Sequence, residues 1–271
     1  MTQVANNPLG PAWRGNESYR QFAESVKTNL RYVRSKGAND FLDEVFASSG
    51  NRKQTISQGD IFWRARLGCE YEMVTHEGDD IDVSWPRPCP YGQEAMKPIS
   101  NWQNEGRANP RGIPCLYLAT TRDTALAEVR PWIGAMISVA RLKIRRDLNV
   151  IDCSKYHSMD AFKTVILDHT RPREDGIWMA IDRAFATPVS RDDESKEYLP
   201  TQILAELFKS EGFDGLVYKS LLTEDGFNLA LFNLEDADVA HCEIFKAASI
   251  KFHFESEGFM YFRNDEGYTE K

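Results

Sequence analysis

The densest run of chemically capable residues is GRANPRGIPCLYLATTRDTALAEVRP, residues 106–131. Tyr117 lies in a short apolar run, Cys115–Ala119, and Glu128 lies in the helical pattern that follows it. On a helix, Glu128 falls four residues after Thr124 and seven after Thr121, so the three share a face. That face is more polar than the one carrying Leu126 and Val129. A carboxylate so placed can border a cleft, or it can pair with Arg122, Arg130 or a surface lysine, a common and weak arrangement. Tyr117 taken alone reads as core. Arg64 sits among large apolar residues in the strand-like run Gly59–Leu67, where a guanidinium is costly unless it meets a carboxylate or a phosphate. Arg66 repeats on the same face. Two arginines on one strand face suit an anionic ligand or a paired Asp or Glu. In DGLVYKS–LLTEDG–FNLALFN, residues 214–233, Ser220 ends a strand at a turn. Asn228 opens the next strand after Asp225-Gly226, a hairpin signal. Turn Ser and Asn residues commonly serve the backbone.

These residues need elements to hold them. Thr120 or Thr121 can cap the Glu128 helix, and Pro131 closes it. Strand-like runs follow at Ala135–Ile144, Leu148–Ile151, Gly215–Tyr218, Phe227–Phe232, Val239–Phe245 and Ala248–Phe254. Mixed helical segments cover 158–187, and a further helix starts near Pro200 and ends at Gly212. The polar stretch 190–197 reads as a mobile flap or an exposed linker. Residues 68–110, with prolines at 86, 88, 90, 98 and 110, read as a long irregular connection. Residues 1–15 read as a loose leader. Helices are then expected from Ser18 to about Lys36, with Phe22, Val26, Leu30 and Val33 as the apolar stripe, and from Asp40 to Ala47. The mixed order of elements points to an α+β fold with a central split sheet. The expected divisions are a helical N-terminal extension (1–55), a main domain (56–256) and a C-terminal tail (257–271).

Composition narrows the function classes. The chain has 271 residues and a formal net charge of −8. That charge opposes direct nucleic-acid binding, which needs a basic face. No apolar run reaches the roughly 18 residues of a membrane span, and the N-terminus lacks a signal-peptide core, so the expected location is the cytoplasm. Five scattered cysteines without metal-ligand spacing argue against a zinc site, and Cys115 reads as core. There is no G-x-G-x-x-G after a strand and no G-x-x-x-x-G-K-[ST], so any nucleotide is held by neither of those loops.

Taken together, the pieces resemble the RES domain, named for an arginine, a glutamate and a serine. The resemblance covers about residues 59–235 and is most specific in Gly106–Pro131 and in DGLVYKS with FNLALFN. It implies an ADP-ribosyltransferase-like split sheet. It also implies a toxin of a bacterial toxin–antitoxin pair, held by a helix-turn-helix (Xre-like) antitoxin. Members degrade NAD, some with inorganic phosphate as acceptor, or ADP-ribosylate a protein. NAD is then a substrate, with no resident cofactor and no metal. The family's arginine maps onto Arg64, with Arg66 as the alternative. Its second arginine maps onto Arg107, its tyrosine onto Tyr117, its glutamate onto Glu128 and its serine onto Ser220. Asn228 matches an associated position. Homo-oligomerisation is a further expectation, with the N-terminal helices as its surface. A competing reading is a non-catalytic module in which Arg64 and Glu128 pair with each other.

Overall fold

The computed structural model describes residues 10–76, 83–98, 104–157, 170–189, 194–251, 254, 261–264 and 267–270. The expected helical stretch 158–187 is described only from residue 170 onward, and residues 190–193 of the polar stretch 190–197 lie outside these residues.

The fold is α+β, built on one eight-stranded sheet flanked by helices. Its order is β1 (Lys53–Ile56), β7 (Leu148–Asp152), β8 (Gly215–Lys219), β9 (Phe227–Leu231), β5 (Leu116–Ala119), β2 (Ile61–Leu67), β6 (Met136–Ile144) and β10 (Ala237–Lys246). Neighbours are antiparallel except β7 and β8. A parallel pair needs a long crossover, and here it contains α4 (Arg173–Ala186), α5 (Glu194–Glu197) and α6 (Leu199–Ser210). As the sequence indicated, α6 has a proline in its first turn and Gly212 beyond its end, at φ +84°.

The central strands are buried on both faces, which explains why they read as near-continuous apolar runs. Leu216 and Ala230 join one core with Trp178, Phe185 and Phe208 of the crossover helices. Val217 and Leu229 join the other, with Leu118, Leu142 and Val150. Met96, from the proline-rich connection, is fully buried in that second core, so part of this connection acts as a cover for the sheet.

The N-terminal helices are α1 (Pro11–Thr28) and α2 (Lys36–Ser49). They bury Phe22, Val26, Phe41, Leu42 and Val45 in the same core as Trp178 and Leu204. The rings of Phe22 and Phe41 stack with centroids 4.7 Å apart. Phe22 and Val26, half of the expected apolar stripe, are thus covered within the chain. The helix begins at Pro11, inside the expected leader, because proline suits a first helical turn. It ends at Thr28, so Leu30 and Val33 are exposed where a buried stripe was expected. Gly15 and Gly176 let α1 and α4 touch backbone to backbone. A Cβ on Gly176 would lie 1.8 Å from the Ala12 carbonyl oxygen, and one on Gly15 would lie 2.0 Å from that of Arg173.

Four further expectations are corrected. Residues 53–55, assigned to the helical extension, belong to β1 in the sheet; only Ile56 of that edge strand is buried, so it shows no apolar alternation. The connection 68–110 is not wholly irregular, since β3 (Glu70–His76) and β4 (Val83–Cys89) form an antiparallel ribbon. A two-stranded ribbon leaves each strand one free edge. Pro86 and Pro88, two residues apart, both turn their donor-less nitrogens to the same edge, where none is needed. No strand forms in the described part of Ala248–Phe254, because pairing with the β6 side ends where Gly134 and Ala135 bond to Ala247. The expected tail instead contains a hairpin, β11 (Tyr261–Asn264) with β12 (Gly267–Glu270), whose strands are too short to show a period.

Candidate active site

The site is assembled around α3 (Arg122–Glu128), which packs against β2, β5 and β6. Thr121 caps it by accepting a hydrogen bond from the Thr124 amide at 3.1 Å. The helix ends at Glu128. Arg130 then takes a left-handed conformation, φ +45°, the sole such non-glycine among the described residues, and Pro131 follows.

The polar face of α3 meets the turn between β8 and β9. The Thr124 and Thr223 hydroxyls lie 2.9 Å apart. Oε1 of the half-buried Glu128 accepts hydrogen bonds from Ser220 Oγ at 2.7 Å and Asn228 Nδ2 at 2.6 Å. Oε2 has no partner among the described residues, and Glu128 forms no ion pair there; Arg122 pairs with Asp123 instead. The turn is held by Lys219, a buried ammonium donating to the carbonyls of Thr223, Glu224 and Gly226 at 2.9, 2.7 and 3.0 Å. Gly226 is needed for this fit, since a Cβ there would lie 2.0 Å from Thr124 Oγ1. Ser220 and Asn228 therefore converge on Glu128 as one unit.

Strands β2 and β5 pair only through Trp63 and Ala119. Beside that point Arg64 Nη1 reaches across to the Tyr117 carbonyl at 2.9 Å. A cavity of about 250 Å3 opens here, lined by Trp63, Arg64, Tyr117, Glu128, Tyr218 and Asn228, among others. Arg64 Nε is buried and has no hydrogen-bond partner. Burial, and then the neighbouring Arg66, pull Arg64 down to about 10, which leaves it cationic at neutral pH. Arg64 and Glu128 face the same cavity without forming an ion pair.

Three of the sequence-derived residues lie outside the cavity lining: Arg66, Arg107 and Ser220, which reaches it only through Glu128. Arg66 donates to the Ala95 carbonyl at 2.6 Å and stacks over Tyr91. Arg107 donates to the Thr187 carbonyl and lies over the Tyr198 ring. The loop that carries Arg107 is clamped. Tyr117 Oη donates to Asn109 Oδ1 at 2.7 Å and accepts from the Ala108 amide at 2.9 Å. Gln202 Nε2 donates to the carbonyls of Gly106 and Asn109 at 2.9 and 3.1 Å. Burial raises Tyr117 well above its ordinary value. Tyr117 thus gives the cavity its ring and the loop its hydroxyl. Changing Tyr117 to Phe strands the Ala108 amide and is expected to cost about 1–2 kcal/mol of stability in urea denaturation. A loss below roughly 0.3 kcal/mol would mean the hydroxyl is not a clamp.

Sequence reasoning missed Trp63, Tyr218, Lys219 and Gln202. Tyr218 stands directly opposite Asn228 in register, and burial and Glu128 push its hydroxyl up. The available signals were its position two residues before Ser220 and a lysine inside an apolar strand.

Among the described residues no group of three or more His, Cys, Asp or Glu gathers as a metal site would require, and no helix is long and apolar enough to cross a membrane. Buried Cys115 lies in the core, as its strand suggested.

No curated protein matches the chain. A chain of the M. tuberculosis MbcT–MbcA toxin–antitoxin complex is similar at 12% identity with a TM-score of 0.42, over 76% of this chain and 94% of that one; a likeness this distant carries no function across. The model of the RES domain matches residues 84–255, which include Arg107, Tyr117, Glu128, Ser220 and Asn228, while Arg64 and Arg66 precede the match. That match spans well over half of the 271 residues, and the chain belongs to the RES domain family.

Proposed function

We propose that the protein cleaves the bond between nicotinamide and ribose in NAD, with inorganic phosphate as acceptor, giving nicotinamide and ADP-ribose phosphate. The observation that carries this reading is the pairing of two incomplete groups on one aromatic-lined cavity: the Oε2 of Glu128 and the buried Nε of Arg64. Whole small-molecule sites run to roughly 300–1,000 Å3, so a cavity of about 250 Å3 suits one half of a dinucleotide.

The chemistry asks little of the protein beyond charge and position. Nicotinamide leaves as a neutral ring from a cationic one, so no general acid is needed. The transition state resembles an oxocarbenium ion, and a fixed carboxylate beside it lowers the barrier. Glu128 would accept a ribose hydroxyl through Oε2 while Ser220 and Asn228 hold Oε1. In this reading Ser220 and Asn228 are positioning residues. Arg64 would hold a phosphate group of NAD through its planar guanidinium. Arg107, on its clamped loop, would meet the distal part of the dinucleotide after releasing the Thr187 carbonyl. Trp63, Tyr117 and Tyr218 offer ring faces for nicotinamide.

Family membership supports the wider reading. The protein would act in the cytoplasm as the toxin of a toxin–antitoxin pair, with a helix-turn-helix antitoxin as its partner. A purely structural role for Arg64 and Glu128 required them to neutralise each other, and they form no ion pair.

Product analysis tests the acceptor. NAD incubated with the protein, with and without phosphate, is expected to yield ADP-ribose phosphate only when phosphate is present. Free ADP-ribose at the same rate in both conditions would make the acceptor water. ADP-ribose attached to an added protein, with no free product, would make the enzyme a mono-ADP-ribosyltransferase.

A further inference from the structure

A second and larger cavity, of about 640 Å3, lies against another face of α3. Its apolar floor comes from Leu126, Ile137, Leu222, Phe245 and Ile250. Among the described residues its charged lining is Arg130, Lys246 and Lys251, with no acid beside them. This is not the background of the chain, which holds 41 acidic residues against 33 basic ones. Beside the groove, Trp132 and Ile133 extend the apolar surface, at 64% and 66% exposure.

Arg130 adds an independent sign. It occupies the left-handed position after α3, where glycine is the relaxed choice. Non-glycine residues kept in such conformations cluster where a surface has a task. At this position the arginine places a cation on the groove at the expense of backbone ease.

We propose that this groove is a docking site for an amphipathic segment of a partner protein, with apolar side chains in the groove and Asp or Glu side chains against Arg130, Lys246 and Lys251. The charge complement selects an acidic segment. The concave shape selects inserted side chains, whereas a bilayer presents a flat surface. The proposal does not depend on the NAD reading.

The test uses the full chain and two fluorescent helical peptides of about 16 residues, long enough for a helix. They share one leucine stripe and differ only in Glu or Lys flanks. Fluorescence anisotropy is expected to show the acidic peptide binding at least about tenfold more tightly. The double variant Lys246→Glu with Lys251→Glu is expected to reverse that preference. Arg130→Gly is expected to weaken the acidic peptide while raising the melting temperature, a combination that a merely structural arginine would not give. Equal binding of the two peptides, no binding of either, or an unchanged preference in the double variant would overturn the proposal. So would binding to anionic phosphatidylglycerol vesicles in place of the peptide. Self-association that the acidic peptide fails to displace would assign the groove to a second copy and overturn it equally.

Discussion

Glu128→Gln is expected to slow nicotinamide release from NAD roughly 100- to 1,000-fold while leaving the fold intact, the usual cost of removing a fixed electrostatic stabiliser. The amide is nearly the same size as the carboxylate. With its oxygen in the Oε1 position it still accepts from Ser220 and Asn228. Its nitrogen then faces the cavity where an unpaired, negatively charged oxygen stood. Shape and packing are retained and the charge is lost. Unfolding by urea should stay within about 0.5 kcal/mol of the parent. A loss of stability well beyond that would mean that Glu128 is there to hold the β8–β9 turn, and that any fall in activity is indirect.

The second large effect is on the fold. Gly176→Ala is expected to destabilise the whole protein by about 3 kcal/mol, the upper end of ordinary overpacking. A Cβ at Gly176 would sit 1.8 Å from a backbone oxygen of α1, and no side chain can rotate away to relieve it. The helices must part, and α4 carries Trp178, Ile181 and Phe185 of the core with it. The matched control is Gly37→Ala in α2, where the new methyl meets nothing within 4 Å. That change should add about 0.4–1 kcal/mol by restricting the unfolded chain. Equal effects at the two glycines would mean that α1 is a detachable extension and not part of the core.

The pattern of success along the chain has physical causes. The shared face of Thr121, Thr124 and Glu128 was legible because helical spacing alone fixes it; Thr124 and Glu128 bond to the 220–228 segment, and Thr121 bonds to Thr124. The β8–β9 hairpin was legible from Asp225-Gly226 between two apolar runs. That Ser220 and Asn228 would meet on one carboxylate oxygen was not, since turn chemistry does not reveal what lies across the turn. Arg107 shows the opposite limit. Its order in the chain fits the family, yet its guanidinium is engaged by Thr187 and Tyr198. Lys219 was missed because three backbone carbonyls brought in by folding are what satisfy it. The N-terminal helices read as an extension because an amphipathic stripe looks the same whether it is covered by its own chain or by another.

The most direct measurement is nicotinamide released from NAD by the purified, folded chain in phosphate buffer, followed by chromatography beside the Glu128→Gln variant. Steady release by the parent is expected, with a rate roughly 100- to 1,000-fold lower in the variant. No release by a folded parent free of any bound partner, or equal release by the two proteins, would contradict it.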